Sequence, residues 1–332
     1  MVALYIVSAN AAAGKTAVCA GLARHLQASG KKVGYIKISA GSSPDGASRD
    51  TAFLKQILSE DEASLVAAEP GGMAAALKEA CGRAAGKDVV LVEGVLGPAG
   101  DDPLSQASYQ AARAVDASVI ALETAAGLAT RFTNPYKGFG AAFLGIIVNK
   151  VPRSRLESYH DKYRSQLDAL GVKLLGVLPE SRGLVSLTVE ELAGAVQGKL
   201  TGAADKSAAL LENLMLGAMS VDSGLLYYGR IKDKAAVLRS DRPDMQLAAL
   251  ETPTRCLVLC GDNPPIRSVL FKAEHRGVPV VITGLGVSEV VGKIEEALEK
   301  SRFNQAAKLA KLEEIMPHLD LHELDSRLGT AG

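Results

Sequence analysis

The feature that most limits what this chain can become sits near its start. An apolar run, Ala3–Val7, passes directly into Ser8-Ala9-Asn10-Ala11-Ala12-Ala13-Gly14-Lys15-Thr16, and a helix-forming stretch, Ala17–Gln27, comes next and is closed by Gly30. Strand, loop and helix in that order bring backbone N–H groups and the positive end of a helix to one point, where they can hold a phosphate. Lys15 adds charge for the terminal phosphates, and the Thr16 hydroxyl offers a magnesium ligand. The expected ligand is ATP with Mg2+, contacted by Asn10, Ala11, Ala12, Ala13, Gly14, Lys15, Thr16 and Ala17. The common form of such a loop has a glycine five residues before Gly14, and here that residue is Ala9. The bland alternative is a strand-to-helix turn capped by Asn10, which leaves the lysine unexplained.

The same rhythm recurs along the first half of the chain. Val33–Ile38, Val89–Val92, Ser118–Leu122, Ala142–Val148 and Lys173–Leu178 are short and apolar at nearly every position, with longer stretches of helical spacing such as Arg155–Leu170 among them. Strands of that kind are buried on both faces, which predicts an α/β fold: a parallel sheet covered by helices. After Pro179 the pattern changes. Leu187–Leu200 reads as one helix, and Ala235–Leu238, Cys256–Cys260 and Val278–Thr283 read as strands of a second, smaller α/β domain. From Lys293 to Met316 the chain reads as helical, with Ala306, Leu309, Leu312 and Ile315 on one apolar stripe. The expected organisation is residues 1–182, 183–300 and a helical tail, 301–332.

Charge and hydropathy exclude some partners. Lysine plus arginine and aspartate plus glutamate both number 37, so no net field attracts a nucleic-acid backbone or an anionic bilayer. No run reaches the 18 or so apolar residues of a membrane helix. The start lacks the basic flank of a signal peptide, and a cytoplasmic protein is expected. Cys256 and Cys260 flank Leu257-Val258-Leu259 and are expected on one face of a strand as small buried hydrophobes.

Four further residues suit the needs of the loop. Lys37 ends the second strand, and in an open parallel sheet ligands lie beyond the carboxyl ends of strands, so its ammonium can reach a transferred phosphate or an acidic substrate. Glu93 ends Val-Val-Leu-Val, where a carboxylate beside magnesium is expected. Asp50 precedes the helical stretch Thr51–Leu58, as its N-cap or as a metal ligand. Asn149 ends the strand Leu144–Val148 and either contacts an adenine edge or starts a turn.

These residues resemble the dethiobiotin synthetase family over about the first 180 positions. Ser8–Thr16 has the spacing of that family's phosphate loop. Lys37-Ile38-Ser39-Ala40-Gly41 resembles its catalytic lysine segment, Arg49-Asp50-Thr51 its metal-binding aspartate, Val92-Glu93-Gly94 its metal-binding glutamate, and Asn149-Lys150-Val151 its adenine-contacting asparagine. The family's Gly-Thr-Asp-Thr opening is Ser8-Ala9-Asn10-Ala11 here, and its Gly-Ala-Gly-Gly is Gly94-Val95-Leu96-Gly97, so the resemblance implies ATP binding without the biotin-pathway substrate. In the second half Gly217-Ala218-Met219-Ser220, Ser240-Asp241-Arg242-Pro243-Asp244 and Gln246–Leu250 resemble the DRTGG domain, with Cys260-Gly261-Asp262 where Thr-Gly-Gly is common. The two domains in this order look like the N-terminal regulatory portion of long bacterial phosphate acetyltransferases, without the acetyltransferase domain. Asp241 and Arg242 are the ligand candidates there, with a local ion pair before Pro243 as the alternative.

The resemblance implies an Mg-ATP-binding regulatory or metabolite-sensing protein with an unidentified small-molecule effector. The rival is an ATP-dependent carboxyl-activating ligase in which Lys15 and Lys37 stabilise the transferred phosphoryl group. The dethiobiotin synthetase resemblance implies pairing through the face beside the nucleotide site, and the apolar stripe Ala306–Ile315 offers a second self-complementary surface, so a homodimer or larger homo-oligomer is expected.

Overall fold

Strands in the middle of a parallel sheet must be apolar on both faces, and the first part of this chain is built from such strands. The computed structural model describes every residue except 11, 40–43, 59–62, 68, 132–133, 218–223, 262 and 330–332. The chain divides into two compact units. Unit 1 comprises Met1–Ser181, Phe303–Gln305 and Leu312–Gly332; unit 2 comprises Arg182–Arg302 and Ala306–Lys311.

Unit 1 contains β1 Val2–Val7, β2 Val33–Ser39, β3 Ala63–Ala67, β4 Val89–Glu93, β5 Ser118–Thr124, β6 Phe143–Val151 and β7 Leu174–Pro179. They form one sheet in the order β3-β2-β4-β1-β5-β6-β7, parallel throughout. The helices of this unit include α1 Lys15–Ala28, α2 Pro44–Leu58, α3 Met73–Arg83, α4 Pro103–Ala114, α5 Ala125–Arg131 and α6 Leu156–Asp168. The sequence reading missed β3. As an edge strand it is fully buried at only Ala63 and Val66, so it lacks the continuous apolar run that marks β1 and β4. Because β1 lies between β4 and β5, the loop leaving β1 emerges beside the carboxyl ends of both.

Unit 2 begins with α7 Arg182–Val185, β8 Leu187–Thr188, α8 Val189–Ala195, β9 Lys199–Thr201 and β10 Leu210–Leu211. Next come β11 Asn213–Leu216, α9 Gly224–Gly229, β12 Lys234–Arg239, α10 Pro243–Leu250, β13 Thr254–Cys260, α11 Arg267–His275, β14 Val280–Thr283 and α12 Val287–Glu299. The sheet order is β11-β12-β13-β14-β9, with β9 antiparallel at its edge, and β8 pairs with β10 in a separate ribbon. The single helix expected over Leu187–Leu200 is therefore wrong in extent. Thr188 caps α8 through a reciprocal box with Glu191, and Gln197 at φ 52° ends the helical path before β9. Cys256 and Cys260 are buried in one cluster with Val258, as period-two alternation demands.

The helix expected without interruption from Lys293 to Met316 is also corrected. It stops at Glu299, and a separate α13, Ala307–Glu313, follows before α14, Leu321–Arg327. Of the apolar stripe, Leu312 and Ile315 are buried within the chain while Ala306 is exposed. Phe303 packs edge-on against Phe53 with ring centroids 5.7 Å apart. His25 in α1 meets Asp325 in α14 at 2.9 Å, and Leu319 bridges to Gly176 on β7.

Candidate functional site

At the carboxyl edge of the unit 1 sheet, side chains from four strands (β2, β4, β5 and β6) and from α1 and α2 gather around the loop that leaves β1. Gly14 stands immediately before α1 with φ 98°, a left-handed conformation that glycine adopts without strain. A Cβ there would also come within 2.7 Å of Asn149 Nδ2. The Asn149 amide donates to the Ala13 carbonyl at 2.8 Å, while its oxygen accepts from the Lys150 N–H at 2.8 Å. Lys150 Nζ donates to the Ala12 carbonyl at 2.8 Å. Asn149 and Lys150 thus hold the back of the loop by its carbonyls. Here Asn149 sits against the loop itself.

The front of the loop is held by groups the sequence reading did not single out. Asn10 Nδ2 donates to Glu123 at 2.9 Å, the Tyr136 hydroxyl donates to the other Glu123 oxygen, and the Ala9 N–H donates to Tyr136 at 3.3 Å. Glu123 is fully buried. It follows an apolar run, Val119–Leu122, just as Glu93 follows Val89–Val92, so the signal that marked Glu93 also marks Glu123. Ala11 lies outside the described residues, as do Ala40, Gly41 and Asp262, and residues 218–220 of the DRTGG-like motif.

The centre of the site is Lys37. Its ammonium donates to Asp50 Oδ2 at 2.7 Å, Glu93 Oε1 at 2.8 Å and Thr16 Oγ1 at 3.2 Å. Thr16 donates to Glu93 Oε2 at 2.9 Å, and Tyr35, another residue missed from sequence, donates to the same oxygen at 2.6 Å. The reading of Asp50 as an N-cap is overturned, because α2 already begins at Pro44 and the Asp50 carboxylate is turned to Lys37. Burial draws the Lys37 ammonium down, but Glu93 and Asp50 outweigh it and hold its pKa above that of an ordinary lysine. For Glu93 burial pushes upward, and Lys37 and Lys15 outweigh that, so it ionises more readily than a free carboxyl. Lys15 makes no hydrogen bond or ion pair with any described residue. Burial holds its pKa below the usual lysine range. It is a cation in want of an anion.

Thr16, Asp50 and Glu93 are hard oxygen donors of the kind magnesium takes. Among the described residues no three His, Cys, Asp or Glu side chains form a metal cage. These donors therefore suit an ion that keeps phosphate oxygens and water in its remaining positions. Ala12, Ala13 and Ala17 supply backbone only.

In unit 2, Asp241 and Arg242 are each hydrogen-bonded to another charged residue of the same turn. Arg239 forks onto Asp241, with Nε at 2.9 Å, and Arg242 forks onto Asp244, with Nη2 at 2.7 Å. Both are local pairs spanning two residues. Arg239 and Asp241 are exposed, and Arg242 and Asp244 are half-buried.

Residues 4–192 match the CobQ/CobB/MinD/ParA nucleotide binding domain, and residues 191–297 match the DRTGG domain. The chain is 25% identical to a phosphate acetyltransferase of Pseudomonas aeruginosa, over 98% of this chain and 52% of that protein. It is 24% identical to one of Pseudomonas putida, over 99% and 52%. The chain thus spans about half the length of the curated relatives it matches. Among solved structures, the MinC:MinD cell division protein complex of Aquifex aeolicus aligns with a TM-score of 0.40 and 17% identity, covering 56% of this chain and 84% of that one.

Proposed function

Since this chain belongs to the CobQ/CobB/MinD/ParA nucleotide binding domain family and carries a DRTGG domain behind it, we propose that it binds Mg-ATP at the loop Ser8–Thr16 and acts as a regulatory, metabolite-sensing protein. Its relation to the N-terminal regulatory region of phosphate acetyltransferases supports the regulatory part of this reading. The observation that carries the binding part is the convergence of Thr16, Asp50 and Glu93 on Lys37, beside Lys15, the residue before Thr16, which makes no hydrogen bond or ion pair with any described residue.

The chain's own groups divide the work. Backbone N–H groups of the loop and of the first turn of α1 face the phosphates, and Lys15 meets their terminal charge. Thr16, Glu93 and Asp50 are the residues that would hold magnesium, which would neutralise phosphate charge. Lys37 donates to the same three side chains, and its ammonium is a second cation suited to a phosphate oxygen. That cation also favours the ligase reading, in which a substrate carboxylate oxygen attacks the terminal phosphorus, the bond to the ADP oxygen breaks, and ADP leaves with those electrons.

Calorimetric titration of the full chain with ATP, with and without Mg2+, tests the binding. Saturable binding strengthened by magnesium is the expected result, and absence of heat in both would overturn it. Phosphate release that depends on an added carboxylic acid or bicarbonate would favour the ligase over the sensor.

A further inference from the structure

The ligand candidates drawn from the DRTGG-like motif lie just past the carboxyl end of β12, whereas a cavity among the described residues of unit 2 lies toward the opposite end of the sheet. This cavity, of about 210 Å³, opens beside Ala235 and Leu214, near the amino ends of β12 and β11, with Leu187, Leu192, Leu211 and Ile294 among its aliphatic walls. Four polar residues stand at it: Arg182, Ser186, Glu212 and Asn213, and the Ser186 hydroxyl already donates to the Gly183 carbonyl at 2.8 Å. The Glu212 carboxylate is answered by Lys311 at 3.1 Å. Arg182 donates to the Asn213 side-chain oxygen at 3.0 Å, a neutral partner, and makes no ion pair with any described residue. Asn213 is itself fixed by donating to the Lys232 carbonyl at 2.9 Å. The cavity therefore has an apolar interior and one uncompensated, oriented cation at its lining.

We infer that this cavity binds a short aliphatic monocarboxylate and that this ligand is the effector of the nucleotide site, an inference that rests on the sensor reading above. An aliphatic cavity of about 150 Å³ accommodates benzene, with six heavy atoms, so this one suits a ligand of about eight. An acid of six carbons has that size. The walls reject polyhydroxylated or dicarboxylic compounds, whose further polar groups would be buried without partners. The guanidinium matches a carboxylate in shape as well as charge, and its bond to Asn213 fixes it before the ligand arrives. Acetate is too small to fill the space.

The test is calorimetry on the full chain without nucleotide, using hexanoate, hexan-1-ol, hexylamine and succinate. Hexanoate should bind best, hexan-1-ol about tenfold more weakly for want of the charge-assisted bond, and hexylamine and succinate least. Arg182→Gln, a change at an exposed residue, should reduce hexanoate to the level of the alcohol and leave the alcohol unaffected. Absence of hexanoate binding, equal binding by the variant, or a preference for the amine would each overturn the site. Repeating the ATP titration with saturating hexanoate tests the effector role. A shift in ATP affinity of about fivefold or more, absent in Arg182→Gln, supports it. Unchanged affinity beside clear hexanoate binding refutes the effector role alone. ATP binding that persists when hexanoate fails to bind leaves the nucleotide reading standing.

Discussion

Both units are open sheets with parallel strands and helices between them, and each presents charged residues beyond the carboxyl ends of those strands. In unit 1 these charges come from distant parts of the chain. Lys37 on β2, Asp50 on α2 and Glu93 on β4 are withdrawn from water and meet at one ammonium. Among the described residues of unit 2 they come from one turn and stay nearer solvent, with Arg239 holding Asp241 and Arg242 holding Asp244 two residues away. Long-range convergence with desolvation commits a site to a ligand, whereas a local pair near water mainly shapes a turn.

The most severe test of that contrast removes its central cation. Lys37→Met takes the ammonium away from the buried Asp50 and Glu93 carboxylates, and the loss of unfolding free energy should be about 3 to 5 kcal/mol, read by denaturant titration. The pH profile sharpens the point. The raised Lys37 contributes stability below the ordinary lysine pKa and loses it as pH rises through its own folded value. The lowered Glu93 contributes above the ordinary carboxyl pKa and loses it as pH falls through its folded value. The parent should therefore be most stable between about pH 5 and pH 10. In Lys37→Met the acid limb should move to higher pH in thermal unfolding followed by circular dichroism. An unmoved acid limb would mean that Lys37 does not govern the carboxylates.

Next in size is Lys15→Ala, which should weaken ATP by about 100-fold while leaving the melting temperature close to the parent's, because Lys15 has no described partner to lose. Calorimetry with a parallel melt checks both halves. Glu93→Gln keeps the shape and removes the charge, so the magnesium concentration that half-saturates ATP binding should rise about tenfold. The smallest effect belongs to the other edge. Asp241→Asn and Arg242→Gln should leave ATP affinity and melting temperature within error of the parent. A clear change in ATP affinity from either would break the contrast between the two edges.

Much of unit 1 was legible because its signals are local. A buried parallel strand announces itself by continuous apolar residues, and the loop by strand, glycine-lysine-threonine and helix in succession. Edge positions were harder to read: β3 is only partly buried, and β8 and β10 have two residues each. Lys37 and Glu93 were found because each ends a strand beside the loop. Tyr35 was not, since a buried tyrosine in an apolar run reads as core until its hydroxyl is seen to meet a carboxylate. Glu123 carried a readable signal and was passed over. The cavity at Arg182 left no mark in the sequence, because its walls come from residues over 100 positions apart.

One property of the fold bears on how the protein is made. Unit 1 includes Phe303–Gln305 and Leu312–Gly332, with all of Arg182–Arg302 between them and the rest. A ribosome adding about 5 to 20 residues per second finishes the seven strands roughly 6 to 30 seconds before it delivers residues 303–332. Through that interval β7 lacks the bridge from Leu319 to Gly176, and α1 lacks Asp325 beside His25. The nascent sheet waits with an open edge, the form in which strands recruit neighbouring chains. Slow translation or early termination before residue 303 should thus yield aggregation in preference to a soluble nucleotide-binding fragment, and excision of unit 2 with the tail retained is the sounder way to obtain unit 1 alone.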